Sequence, residues 1–415
     1  MAIVKPFRGY RPLKEYADRI ASRPYDVLNS DEARAEAADN PYSFLHVVKP
    51  EIDLPLETDH YADIVYETGK KNIQKLIKDG IFAQDKSEIY YVYAQQLWGK
   101  TQYGLVACAG VEDYLSGIIR EHELTRPDKE QDRKNHIRIT NYNAEPVFFA
   151  YPDNKKINSI IEKVVMGQPE YDFLTNDTVR HMLWLIDDTE DVTGIERIFR
   201  EEIKYTYVAD GHHRTAAAAH VGEDRKKRNP RHTGEEQYNF FLAVHFPASQ
   251  LTIIDYNRVI RDLNGYTKEE FIEKIRESFE VSDHGDEPYK PSALHEFSMY
   301  IDGKWSVLKA KKHTYNDDDP IDCLDVTVLS KALLDPVLDI KDLRKSKRID
   351  FVGGIRGLEE LKKRVDSGEM AVAFALYPVS MDQLINIADS GKIMPPKTTW
   401  FEPKLRSGLV IHDLE

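Results

Sequence analysis

The apolar positions of this chain change period several times, and each change marks an element. Ile203, Tyr205, Tyr207 and Ala209 alternate with Lys204, Thr206 and Val208, a strand period rich in β-branched and aromatic residues. The period breaks at Asp210-Gly211, and from His212 onward Arg214 and a run of four alanines favour helix. Residues 61–79 carry an apolar helical stripe of Ile64, Val65, Ile73, Leu76 and Ile77. Strand-like runs fall at 44–48, 89–93, 103–109, 146–151, 182–186, 240–246, 251–255 and 370–377, and helical runs at 111–119, 193–202 and 324–334. Asn29 with Glu32, Thr267 with Glu270, and Ser380 with Gln383 have capping-box spacing at three helix starts. A hairpin over 297–308 turns at Asp302-Gly303. The charged, proline-containing segment 283–291 is the expected linker, which divides the chain into 1–282 and 283–415.

Composition narrows the function classes. The 415 residues suffice for two or three domains. The net charge of −14 is the opposite of what a sequence-independent nucleic-acid binder needs. The one basic run, 225–232, contains Pro230 and reads as a solvated loop. No apolar run is long enough to span a membrane, and the N-terminus lacks a signal-peptide core. Two cysteines, Cys108 and Cys323, give no disulfide framework and no zinc site, which points to a reducing cytoplasm.

The candidate chemistry centres on 210–215. A strand, a tight Asp-Gly turn and a helix aim the first N–H groups of the helix at one point, which the helix dipole makes attractive to anions. Gly211 admits close backbone approach, and His212, His213 and Arg214 add side-chain donors. The plain structural alternative is an ordinary helix with Asp210 as N-cap and both histidines in solvent.

Three other segments carry charge beside proline or glycine. Asp26 follows the extended Pro24-Tyr25, as a turn residue or as a site carboxylate. His122-Glu123 resembles a metal or acid/base pair, but position 126 is Arg126, so the zinc-protease spacing is absent. The same stretch reads also as an exposed charged helix, or as a positive face of Arg126, Lys129 and Arg133 turned to a phosphate. In the tail, Lys397, Thr398 and Thr399 could meet an anion, or the tail is an arm packed on the core. The acidic run 316–319 lacks the glycine and distal glutamate of a calcium loop.

P-F-R-G-Y-R-P, P-Y-D-V, N-P-Y-S, H-E-L-T, A-D-G-H-H-R and M-P-P-K-T-T-W-F-E-P-K, in this order, resemble the bacterial and archaeal domain-of-unknown-function family ten-fifteen. The D-G-H-H-R turn is similar to the phosphate-binding turn of the ParB/sulfiredoxin-like superfamily, which includes free serine kinases. The resemblance implies an α+β fold, a mixed sheet with flanking helices in a ParB/sulfiredoxin-like core, with nucleotide phosphates at the helix N-terminus and a free amino acid, serine or phosphoserine, as substrate. The expected activity is a phosphotransferase of serine metabolism. The alternatives are a phosphoserine phosphatase-type hydrolase and a nucleotide-responsive ParB-like binding protein. Catalytic roles are expected of Asp210, His212, His213, Asp26 and Glu123, and phosphate or nucleotide binding of Gly211, Arg214, Thr215, Arg126 and Lys397. Mg²⁺, held by Asp210 or Asp26, and ATP or ADP are the expected cofactors. The expected partner is a small phosphorylated molecule or nucleotide.

Overall fold

The computed structural model describes all 415 residues, Met1–Glu415. Two compact units emerge, Met1–Leu251 with Pro403–Glu415, and Thr252–Glu402.

The first unit holds a nine-stranded mixed sheet. Its strands are β1 (Val4–Lys5), β2 (Tyr90–Leu97), β3 (Lys100–Gly110), β4 (Ile119–Arg120), β5 (Val147–Tyr151), β6 (Tyr171–Leu174), β7 (Arg180–Ile186), β8 (Thr206–Asp210) and β9 (Phe240–Pro247). They lie in the order β4-β8-β5-β9-β3-β2-β7-β6, with β1 paired to β3. Pairs β4/β8 and β5/β9 are parallel, and the other neighbours are antiparallel. β2 and β3 form a hairpin through Trp98 and Gly99, both at positive φ, as a tight hairpin turn requires. The long helices are α1 (Asp63–Lys78), α2 (Pro127–Thr140), α3 (Lys155–Val165), α4 (Thr189–Glu202) and α5 (His212–Arg228).

All five residues of β5 are buried, and so are the first four of β8. Successive strand residues point to opposite faces, so both faces of the sheet are covered there. One core joins Tyr90, Val92, Leu105 and Trp184 to Ile157, Ile161, Ile195 and Phe199 of α3 and α4. Another joins Ile119, Phe149 and Val208 to Ile137 of α2 and to Ala217, Ala218 and Ala219 of α5. The alternation over 203–209 is therefore not a half-exposed strand: Ile203 ends α4, and pairing begins at Thr206.

The second unit has a six-stranded sheet in the order Phe279–Gly285, Lys304–Ala310, Glu296–Ile301, Val372–Leu376, Tyr256–Ile260, Ile349–Gly353. Every pair is antiparallel. Helices Lys268–Ser278, Gly357–Asp366 and Met381–Asp389 belong to it. Its core gathers Val259, Tyr300, Trp305, Val352 and Leu361.

Several local expectations change. The run 44–48 is a one-turn helix, Leu45–Val48, buried in a cluster with Phe44, Ile73 and Phe82; packing overrides its β-branched composition. The run 111–119 splits into a short helix, Val111–Leu115, and β4. Asp283 and Gly285 lie within a strand, not a linker. The basic residues Arg225 to Arg228 form the last turn of α5, where cations suit the dipole. No helix is long and apolar enough to cross a membrane.

Candidate functional site

Strands β4 and β8 run parallel, with Thr206 opposite Ile119 and Tyr207 opposite Arg120. Their carboxyl ends are therefore neighbours, the usual place for a ligand in parallel strand pairs. The chain leaving β4 carries His122-Glu123, and the chain leaving β8 carries Gly211-His212. The H-E-L-T stretch is a loop between β4 and α2, not a helix. The His122 and His212 rings meet edge to face at 4.5 Å between centroids.

Gly211 is the N-cap of α5, at φ 93° and ψ 32°, and as a glycine it offers no side-chain cap to the first turn. A side chain at this position would be strained, and an added Cβ would lie 3.2 Å from Arg214 Nε. Asp210 is thus not the helix cap. Its Oδ1 accepts from Gly211 N–H at 3.0 Å, and its Oδ2 accepts from Lys404 Nζ at 2.9 Å. Burial works against the Asp210 charge, but Lys404 and Arg214 hold its carboxyl far below the usual range. Lys404 is itself placed by the tail, whose Lys404 carbonyl accepts from Gln95 Nε2 at 2.8 Å.

Arg214 is buried beside the turn. Its Nη1 donates to the Pro146 carbonyl at 2.7 Å, Nη2 lies 4.0 Å from Asp26 Oδ2, and Nε has no hydrogen-bond partner. Asp26 is presented there by its neighbour. Tyr25 N–H donates to Glu145 Oε1 at 3.1 Å, and the Tyr25 ring lies under Arg133 at 3.9 Å. Arg133 in turn bonds Glu145 Oε2 at 3.2 Å and pairs with Asp132 at 2.9 Å. The half-buried His213 accepts from the Arg126 backbone N–H at its Nε2, 2.9 Å away. Burial lowers the pKa of all three histidines: His122 to about 4, His212 well below its ordinary value, and His213 in the same direction. The imidazoles are therefore neutral at pH 7, and the charges facing the turn are those of Asp210, Asp26, Glu123, Arg214 and Lys404.

Asp26, His122-Glu123 and the tail, far apart in sequence, all meet residues 210–214. Five expected contributors have other surroundings. Thr215 is fully buried, and its hydroxyl donates to the Gly211 carbonyl at 3.0 Å, so it serves the helix backbone. The Arg126 guanidinium is exposed and pairs with Asp128, leaving only its backbone N–H in the site. Arg133 is a buried brace and Lys129 donates to the Tyr61 hydroxyl, so the positive face of α2 does not exist. Lys397 belongs to the second unit, with its carbonyl on Arg258 and its ammonium over the Tyr256 ring; the tail lysine at Asp210 is Lys404. Sequence reading missed Lys404, although it closes the M-P-P-K-T-T-W-F-E-P-K motif, and it missed Glu145, which no local pattern marks.

The family model described as "Protein of unknown function (DUF1015)" matches residues 4–327. The chain belongs to this family. The DUF1015 match takes in the site residues from Asp26 to Arg214 and ends before the tail that carries Lys397 and Lys404. No curated protein sequence matches this DUF1015 chain. Among solved structures it is similar to a free serine kinase in complex with AMP, at 13% identity and TM-score 0.37, over 79% of this chain and 93% of that one. It is also similar to SbnI with a C-terminal truncation from Staphylococcus aureus, at 10% identity and TM-score 0.38, over 73% of this chain and 85% of that one. A conserved hypothetical protein from Pyrococcus furiosus matches at 13% identity and TM-score 0.36, over 75% of this chain and 97% of that one. These likenesses are too distant to bear on activity.

Proposed function

We propose that this DUF1015 protein is a phosphotransferase acting on free serine or phosphoserine, with a phosphate held at the start of α5. The observation that carries the reading is the first turn of a 17-residue helix left without a side-chain cap, beside the buried Arg214. Phosphoryl transfer needs fixed donors for the moving oxygens and a base near the acceptor hydroxyl. The backbone N–H groups of α5 and the Arg214 guanidinium supply donors. Asp26, more exposed than Asp210 and not tied to a lysine, is the better-placed base or Mg²⁺ ligand; Asp210 fixes Lys404 and the turn. ATP or ADP is the nucleotide partner in this reading, and serine or phosphoserine follows the family resemblance.

The test is product detection with purified protein. Serine with ATP or ADP, and phosphoserine with ADP or water, are incubated with Mg²⁺ and analysed for phosphoserine, serine, nucleotide and phosphate. Transfer in either nucleotide-dependent reaction, lost in Asp26→Asn, supports the proposal. Phosphate release from phosphoserine without nucleotide replaces it with a hydrolase. Nucleotide binding without turnover replaces it with a nucleotide-responsive binding protein.

A further inference from the structure

The His122-Glu123 pair lacks a second histidine one helical turn away, yet the fold brings one from elsewhere. His212 opens α5 at the end of the strand parallel to the one that delivers His122. One ligand atom from each of His122, Glu123 and His212 lies within 4.8 Å of the others. We propose that these three residues form a binding site for a first-row divalent cation of the zinc type.

Three observations point to an ion. Ligand atoms around a tetrahedral ion at ~2.1 Å are ~3.4 Å apart, so the cluster closes on one by a movement of about 1 Å. His212 is buried, and its Nε2 has no hydrogen-bond partner within the protein, a costly state for a polar atom. The His122 ring is hydrogen-bonded to the Val208 backbone, the kind of support that fixes the orientation of metal-bound histidines. Two imidazoles and one carboxylate favour Zn²⁺ and its neighbours over Mg²⁺ or Ca²⁺, which prefer all-oxygen shells. Three protein ligands leave a position for water or an anionic oxygen, the pattern of an open rather than a structural site. Two cysteines thus set no limit on zinc binding here, because the ligands are not thiols.

This inference stands apart from phosphoryl transfer, since its test uses no phosphorylated compound. Chelator-stripped full-length protein is titrated with Co²⁺ alone and followed by visible d–d absorption, then with Zn²⁺ in competition. One Co²⁺ per chain is expected, displaced by Zn²⁺ and not by excess Mg²⁺. Glu123→Gln and His122→Gln should each weaken binding about tenfold or more, with far-UV circular dichroism and the melting curve confirming folded protein. His212→Gln should do the same, and if it fails to fold, the half-buried Glu123→Gln decides. Absence of Co²⁺ binding overturns the site, as does binding that Glu123→Gln and His122→Gln leave unchanged.

Discussion

Two helix starts in this protein look alike in outline and differ in what completes them. The helix Lys268–Ser278 begins at Thr267, whose hydroxyl accepts from Glu270 N–H at 3.2 Å while the Glu270 carboxylate accepts from Thr267 N–H at 2.9 Å. The helix α5 begins at a left-handed glycine, which has no side chain to cap its first N–H groups. The first start is closed by its own sequence, and its stability needs nothing further. The second keeps donors open, sets the buried Arg214 and the half-buried Lys404 around it, and ties the preceding aspartate to a lysine 194 residues away. An exposed cap is enough to start a helix; an open first turn among charged groups fits a place where a ligand completes the structure.

The comparison breaks most visibly at Lys404. Lys404→Met leaves the Asp210 carboxylate in a largely buried place without its ammonium, and should cost about 2–3 kcal/mol in folding free energy by denaturant unfolding. The pH dependence has a definite sign. Asp210 is held below its unfolded value of about 3.9, so its contribution is fully present above about pH 4 and is lost as pH falls through the folded value. The gap in stability between wild type and Asp210→Asn should therefore shrink below about pH 4.

Gly211→Ala comes next. The positive φ alone costs about 1–2 kcal/mol, and the added Cβ presses on Arg214, so both melting temperature and phosphate affinity should fall. The matching change at the closed start, Thr267→Ala, should cost about 1 kcal/mol and leave phosphate affinity unchanged, measured by calorimetric titration. Equal loss of affinity in the two variants would erase the distinction between the helix starts.

A further distinction is visible in acid. His122 has a folded pKa of about 4, below its unfolded value near 6.5. The unfolded chain then binds more protons between these values, so metal-free protein should lose stability as pH falls from about 6.5 to 4. His122→Gln should flatten that part of the melting-temperature profile.

What the sequence made legible was local. Asn29 with Glu32, Thr267 with Glu270 and Ser380 with Gln383 form full capping boxes, because each motif contains both of its partners. The Asp302-Gly303 hairpin and the strand-glycine-helix at 206–212 were readable for the same reason. What was not legible depends on distant pairing. His122 finds His212 only because β4 and β8 are parallel neighbours, and helical spacing says nothing of that. Arg133 looked like part of a positive face, but Asp132 beside it and Glu145 across the fold neutralise it inside the core. Lys397 and Lys404 are alike in composition and only seven positions apart; the path of the tail decides which of them meets Asp210.

The most direct measurement is the position of phosphorus in crystals soaked with phosphoserine. The account places it at the first turn of α5, within hydrogen-bond reach of the backbone N–H groups there and of Arg214. Phosphoserine bound elsewhere, with the first turn of α5 covered only by water, would contradict it.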